Sequence, residues 1–435
     1  MNKENHRQAT ITEYGAVGRE KMPKQDKFLC DRVSDKAFNA LKKFNAENDD
    51  AIFTLTSISA EDGSRVDALI AKSFVGVIET NCGSVVEILP KIYVHDRHGE
   101  KDRIREIFLK MLRFLRDSPF KEIDLAHLHT TKHPILEIFI SLFLADLTKL
   151  VQKGIARDYV NIEENQPFLK GKMLFNQNIK YNITHKERFY VSFDEFIANR
   201  SENRLIKSTL EFLSKRVRSS NNQKRIREFT FTFDEIPSSK DVDTDFSKLK
   251  PNHLTNYYDK VMKWCSVFLK KESFTNFKGK AVSLALLFPM ERVFENYVGT
   301  MFKRSYHYLP VYLQDKKQSL IEKHDGGRKF ALKPDIVAIA DGRPIILDTK
   351  WKLINQNKPK KNYWISQADM YQMFAYGEKY KSEKLYLLYP KNEEFDSKLK
   401  EFNYYQDDKQ MTLNVYPLDL EKISRNKKLS LNEIQ

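Results

Sequence analysis

Between Ala51 and Tyr93 the apolar residues come in short runs, "AIFTLTSIS", "SFVGVIET" and "SVVEILPKIYV", the last two parted by "NCGS". Such runs with turn-forming punctuation predict a small antiparallel sheet. The period then changes. Ile104, Ile107, Phe108, Met111, Leu112 and Leu115 recur at helical spacing until "DSP" at Asp117–Pro119 stops them. The most apolar stretch, "PILEIFISLFLADLTKLV" from Pro134, is interrupted by Glu137 and Asp146 and reads as a buried helix, not a membrane span. From about Arg218 to Asp245 periodicity fades. "RSSNNQKRIRE" and "IPSSKDVDTD" predict polar turns, and "FTFTFDE" between them predicts one more strand.

Strong patterning returns at Pro289, a residue suited to a first helical turn. Met290, Val293, Phe294, Tyr297, Val298, Met301 and Phe302 form one apolar stripe, with Glu291 and Glu295 on its flank. "LKPDIVAIADGRPIILDTKWK", from Leu332 to Lys352, then gives two apolar runs around a D-G turn, the signature of a β-hairpin. A second helix through "ISQADMYQMFAYGEKY" and a strand "KLYLLYP" follow. Helix, strands, helix, strand is an α/β pattern. The expected division is a β-rich region over residues 1–100, a mainly helical middle over 101–260, and an α/β domain over 270–435. The first two together form an α+β N-terminal region, with the boundary between about Lys250 and Lys270.

The chain has 435 residues, enough for two or three domains. A hydrophobic content of 41% with 31% charged residues excludes a disordered chain. The net charge of +15 points to a polyphosphate partner, although net charge alone is not a site. Cys30, Cys82 and Cys265 lie too far apart for a zinc or disulfide motif, which fits a reducing cytoplasm. "MNKENHRQAT" has no apolar core of a signal peptide, and the first ten residues read as a disordered start. No G-x-x-x-x-G-K-[ST] phosphate loop occurs; "FKGKAVS" around Lys278 departs from that spacing.

The hairpin carries the chemistry. Asp348 and Lys350 alternate onto one face of a strand, and Asp335 opens the neighbouring strand close enough to converge with Asp348. Two carboxylates at a sheet end are hard-oxygen ligands suited to Mg²⁺. A lysine beside them can orient a water or offset charge on a phosphate, and Glu295 can add a third carboxylate from its helix. These are the parts that phosphodiester hydrolysis needs. As a bare pattern, an exposed hairpin with a surface ion pair between Asp348 and Lys350 reads the same way. Lys352, Lys358, Lys360 and Lys361 follow directly and suit a DNA backbone, or else form a solvated loop. "DEF" at Asp194–Phe196 with Asn203 and Arg204 lacks a third ligand or base and reads as structural or partner-facing.

"PD" followed by "DxK" resembles the signature of the PD-(D/E)xK nuclease superfamily, and Gln372 with Tyr376 resembles its Q-x-x-x-Y element. The likeness runs along the chain. "TEYGAV", "FVGVIET", "VEILPKI", "LKGKMLFNQNIKYN", "RFYVSFDEF" and "ENRLIKSTL" stand in the order seen in the McrC family, the nuclease subunit of McrBC-type modification-dependent restriction systems. That family's "FE", "PD", "DxK" and "YQ-x-x-AY" elements correspond to Phe294–Glu295, Pro334–Asp335, Asp348–Lys350 and Tyr371–Gln372 with Ala375–Tyr376. The resemblance implies a restriction-endonuclease-like α/β domain cleaving double-stranded DNA with Mg²⁺. Asp335, Asp348, Glu295 and the Thr349 carbonyl would hold the ion, Lys350 would stand beside the scissile phosphate, and Gln372 and Tyr376 would line the site. It also implies a partner, an McrB-like AAA+ GTPase that reads modified DNA, binds GTP itself and docks on residues before about Lys250. Two other expectations compete: a catalytically silent subunit that only stimulates the GTPase, and a stand-alone nuclease.

Overall fold

The computed structural model describes residues 8–20, 30–59, 65–95, 99–115, 118–122, 133–249, 253–270, 281–405 and 410–431. Residues 1–7 of the expected disordered start and Lys278 lie outside them. The chain divides into two compact units, residues 1–135 with 273–435, and residues 136–272.

The first unit joins both ends of the chain, which departs from the expected separation of residues 1–100 from residues 270–435. The reason is one strand. Val282–Pro289, "VSLALLFP", is apolar on both faces and so needs cover on both. It pairs antiparallel with Phe74–Thr80, which pairs with Val85–Leu89, which in turn pairs in parallel with Gln8–Thr12. Gly76 allows the close approach: a side chain there would meet the Leu286 carbonyl oxygen at 1.9 Å. A second four-stranded sheet runs Cys30–Val33, Ala16–Arg19, Arg65–Ala71, Phe53–Ser59. The expected single sheet is therefore two, because Phe53–Ser59 pairs with Arg65–Ala71 and not with Phe74–Thr80. Pro90 follows the strand Val85–Leu89, which ends well short of the expected Val94.

The helix Glu100–Leu112 also belongs to this unit, not to the helical middle. Arg105 anchors it to the sheet by a bidentate pair with the fully buried Glu87, at 2.9 and 2.7 Å. The C-terminal part forms a six-stranded sheet in the order Val311–Leu313, Ile336–Ala340, Arg343–Thr349, Lys384–Pro390, Thr412–Leu418, Phe402–Asn403. The helix Gln367–Tyr380 supplies Met373 and Tyr376 to its core beside Leu385, Leu387 and Val415. "KLYLLYP" is thus central, and the chain goes on past it to Thr412–Leu418 and the helix Leu420–Asn426.

In the second unit the helix Ile135–Lys153 is buried as its pattern predicts, and its two acids find partners. Glu137 accepts from Asn222 Nδ2 at 2.9 Å, and Asp146 accepts from Trp264 Nε1 at 3.0 Å and pairs with Lys260 at 2.9 Å. No helix among the described residues is long and apolar enough to cross a membrane. A three-stranded sheet, Asp158–Gln166, Phe189–Ile197 and Lys172–Met173, is the unit's β element. The expected turn and strand near Arg218 are one helix, Ser220–Thr232, in place of loop and "FTFTFDE" strand. Asn222, Ile226 and Phe233 are buried while Phe231 is 83% exposed, so helical spacing onto a packed face overrides β propensity. In the "DEF" region Asp194 accepts from Asn161 at 3.0 Å and Arg204 clamps Asp245, a structural outcome.

Candidate active site

The hairpin forms as its sequence predicts. Asp341 and Gly342 both take positive φ, 50° and 75°, the turn that matches strand twist. Ile336 pairs with Leu347, so one step further in register Asp335 stands opposite Asp348. Opposite residues in an antiparallel pair share a face, with Cβ atoms about 5 Å apart. The two carboxylates are therefore brought together by the turn and the alternation. Asp348 is 1% exposed, flanked by the parallel strand Lys384–Pro390.

Each acid has its own support. Asp335 Oδ2 accepts from the Thr349 amide at 2.7 Å and from its hydroxyl at 2.6 Å. Asp348 holds Lys350 Nζ directly, and Lys350 also donates to Gln372 Oε1 at 2.9 Å. Gln372 Nε2 in turn donates to the Tyr376 hydroxyl at 2.7 Å. Gln372 and Tyr376 lie one turn apart on one helix, so a four-residue chain runs from sheet to helix. Glu295 accepts from Gln314 Nε2 and lies near enough to Asp335 to feel its charge.

The electrostatics follow from crowding. Burial pushes Asp348 up to about 7, with the Asp335 charge adding to the rise and Lys350 opposing it. Glu295 is raised by burial and then by Asp335. Burial works against the Lys350 ammonium, yet Asp348 beside it holds its pKa above the ordinary value. Three acids whose charges oppose one another would be relieved by a divalent cation. The oxygen donors suit a hard ion. Among the described residues no three His, Cys, Asp or Glu side chains are grouped to grip one metal. The donor set thus fits an ion held by Asp335 and Asp348 with waters, as Mg²⁺ prefers. Glu295 as an immediate third ligand is not met in this arrangement.

The flanks are braced from the other end of the chain. Trp351 Nε1 donates to Glu13 at 2.9 and 3.0 Å, and its ring packs edge-on to Phe294, 5.2 Å between centroids. Phe294 precedes Glu295 and Trp351 follows Lys350, so Glu13 of "TEYGAV" buttresses both. Lys352 pairs with Asp369 at 3.0 and 2.9 Å while its side chain stays 46% exposed. Lys358, Lys360 and Lys361 are exposed. Gln314, Asp369 and Glu13 escaped sequence reasoning as site neighbours. Gln314 and Asp369 belong to no motif, and Glu13 lies 338 positions from Trp351.

Two solved structures share the fold. A chain of the refined half-complex from the tetradecameric assembly of Thermococcus gammatolerans McrB AAA+ hexamers with bound McrC matches with a TM-score of 0.67 at 17% identity, covering 97% of this chain and 99% of that one. A chain of the Thermococcus gammatolerans McrBC complex matches with a TM-score of 0.51 at 21% identity, covering 69% and 88%. No curated protein matches by sequence. A sequence model of the McrBC 5-methylcytosine restriction system component matches residues 69–390, and the chain belongs to that family.

Proposed function

We propose that the chain is the Mg²⁺-dependent DNA endonuclease subunit of a GTP-dependent restriction complex directed at modified cytosine. The observation that carries this reading is the convergence of Asp335 and Asp348 on one sheet face, with Lys350 tied to Asp348 and Gln372. The six-stranded sheet with its flanking helices then corresponds to a PD-(D/E)xK nuclease core. Mg²⁺, held by Asp335, Asp348 and the Thr349 carbonyl, would polarise the phosphoryl oxygen and acidify a bound water. Lys350 keeps its proton through Asp348 and offers a fixed positive charge to the pentacoordinate phosphate. Gln372 holds the ammonium in place, and Tyr376 holds Gln372. Glu295, raised toward its neutral form, tempers the negative charge around the scissile phosphate.

The partner in this reading is an McrB-like AAA+ GTPase, in line with the McrB hexamers named for the structural relative. The second unit carries a surface suited to it. Tyr159, Phe168, Phe175, Ile179, Ile183 and Phe196 are each at least 50% exposed on one sheet and the adjoining helix and loops. Apolar side chains concentrated this way mark a protein interface. Docking there would let the chain stimulate GTP hydrolysis.

The test is cleavage of modified-cytosine duplex DNA by the full chain with Mg²⁺, with and without the GTPase and GTP. Asp348→Asn and Lys350→Ala should each lower cleavage by about 10³-fold or more while GTP turnover persists. Stimulated GTP turnover without any cleavage by the wild type would leave the silent regulatory reading in its place. Cleavage that needs no GTPase would leave the stand-alone one.

A further inference from the structure

The helix Met290–Ser305 works on two sides. Glu295 leaves it toward the carboxylates. About 190° round the helix, the stripe Tyr297, Thr300, Met301 and Arg304 lines a cavity of about 420 Å³. The remaining walls come from the end of the helix Glu100–Leu112, from Lys121, and from the end of the helix Leu420–Asn426.

Among the described residues five cations line this cavity, Lys110, Arg113, Lys121, Arg304 and Lys427, and no carboxylate does. Lys110 has a carboxylate partner in Glu106 at 2.8 Å. Arg304 lies over the Phe114 ring, 5.0 Å from its centroid. Arg113, Lys121, Arg304 and Lys427 form no ion pair with any described residue. Tyr297 is 2% exposed, and its hydroxyl has no hydrogen-bond partner among the described residues. Tyr297 lines the cavity, so its hydroxyl is free to donate to water or to a ligand there.

Helix ends offer the plainer explanation. Three helices finish here, and basic residues near a C-terminus offset its partial negative charge. The magnitudes do not balance. Three ends bring about −1.5 charges, against the four cations without a carboxylate partner among the described residues, and leave roughly +2.5 in one concave space. Such a charge destabilises the folded chain unless an anion fills it. The cavity is also of ligand size.

We propose that this cavity is a phosphate-binding site, separate from the cleavage site. Its ligand is a group of at least two linked phosphates, which together bring two or more negative charges. That group comes either from a DNA backbone beyond the scissile position or from a free polyphosphate. The DNA source rests on the nuclease reading; the phosphate chemistry does not.

The experiment uses the full chain and pyrophosphate as probe, read by calorimetry and by Tm at constant ionic strength. The double variant Arg113→Gln with Arg304→Gln is compared with Lys36→Gln with Lys215→Gln, which removes two exposed charges elsewhere. Wild type and control should bind pyrophosphate, and the cavity variant should bind at least about tenfold more weakly with its own Tm unchanged or raised. In metal-free duplex binding, a parallel loss for the cavity variant and competition by pyrophosphate assign the site to DNA. Unchanged duplex affinity assigns it to a free polyphosphate. A Tm rise no larger than sodium chloride gives, or equal binding by cavity variant and control, overturns the proposal. Asp348→Asn separates the two readings, since it abolishes cleavage and leaves pyrophosphate binding intact.

Discussion

Gln372 illustrates how much of the candidate site depends on residues other than its carboxylates. Its amide oxygen accepts from Lys350 and its amide nitrogen donates to Tyr376, so the lysine is held from the helix as well as the strand. Gln372→Ala should cut the cleavage rate by about 10–100-fold, the usual cost of losing an orienting partner. DNA affinity should stay within about twofold, which a binding isotherm beside a single-turnover rate would reveal. Glu13 acts at a greater remove. It is 1% exposed, and burial pushes its carboxyl up to about 8, against the amide of Lys91 and the Trp351 indole, with Glu291 adding to the rise and the Lys91 charge opposing it. The folded chain therefore keeps a proton that the unfolded chain releases near pH 4.5. Stability should fall as pH rises from about 4.5 to about 8, at up to ~1.4 kcal/mol per pH unit from this group. Glu13→Gln should flatten that part of a Tm-against-pH curve. An unaltered slope would show that Glu13 does not hold the proton.

At the scale of elements, legibility tracked the range of the forces involved. The hairpin was readable because its turn chemistry, its alternation and its apolar runs are all local and agree. The helix Met290–Ser305 was readable for the same reason. "FTFTFDE" was misread because its alternation is real but a helical face, with Asn222, Ile226 and Phe233 packed, takes precedence. Pairing of Val282–Pro289 with Phe74–Thr80 was invisible, since no local pattern announces a partner some two hundred residues away. Asp335, Asp348 and Lys350 were read from the hairpin's alternation and Gln372 with Tyr376 from motif order, while the pairing of Lys352 with Asp369 was not read, because Asp369 belongs to no motif. Two elements carry their own tests. Lys358→Ala, Lys360→Ala and Lys361→Ala together should reduce the slope of log affinity against log salt by about 2–3 if that turn follows a DNA backbone. On the second unit, Phe175→Asp with Ile179→Asp should abolish stimulation of GTP turnover while leaving the melting of the chain within a few degrees. Both side chains are mostly exposed, at 68% and 63%, so the fold does not depend on them.

For the whole molecule the consequence lies in how the chain doubles back. The α/β part was expected to stand alone over residues 270–435, yet Val282–Pro289 completes a sheet whose other strands come from the first ninety residues. Cutting the chain at residue 270 would leave that strand, with Leu284, Leu286 and Leu287 fully buried in the intact protein, without its neighbour. It would also free Trp351 from Glu13 beside the active strand. Three buried leucines alone are worth roughly 5–9 kcal/mol on transfer to water, comparable with the whole stability of an ordinary domain. A fragment of residues 270–435 should therefore be soluble only as an unfolded or aggregating chain, with no cooperative melt by circular dichroism. Supplying residues 1–135 as a separate chain should restore a cooperative transition, because the missing strands then come back in trans. A fragment that melts cooperatively by itself would mean that the C-terminal sheet is self-sufficient and that the shared strand is an ornament. The first outcome carries a mechanistic point. The α/β part and the first ninety residues would then fold as one body, so Glu13 could hold Trp351 beside Lys350 only where the two ends of the chain have already met.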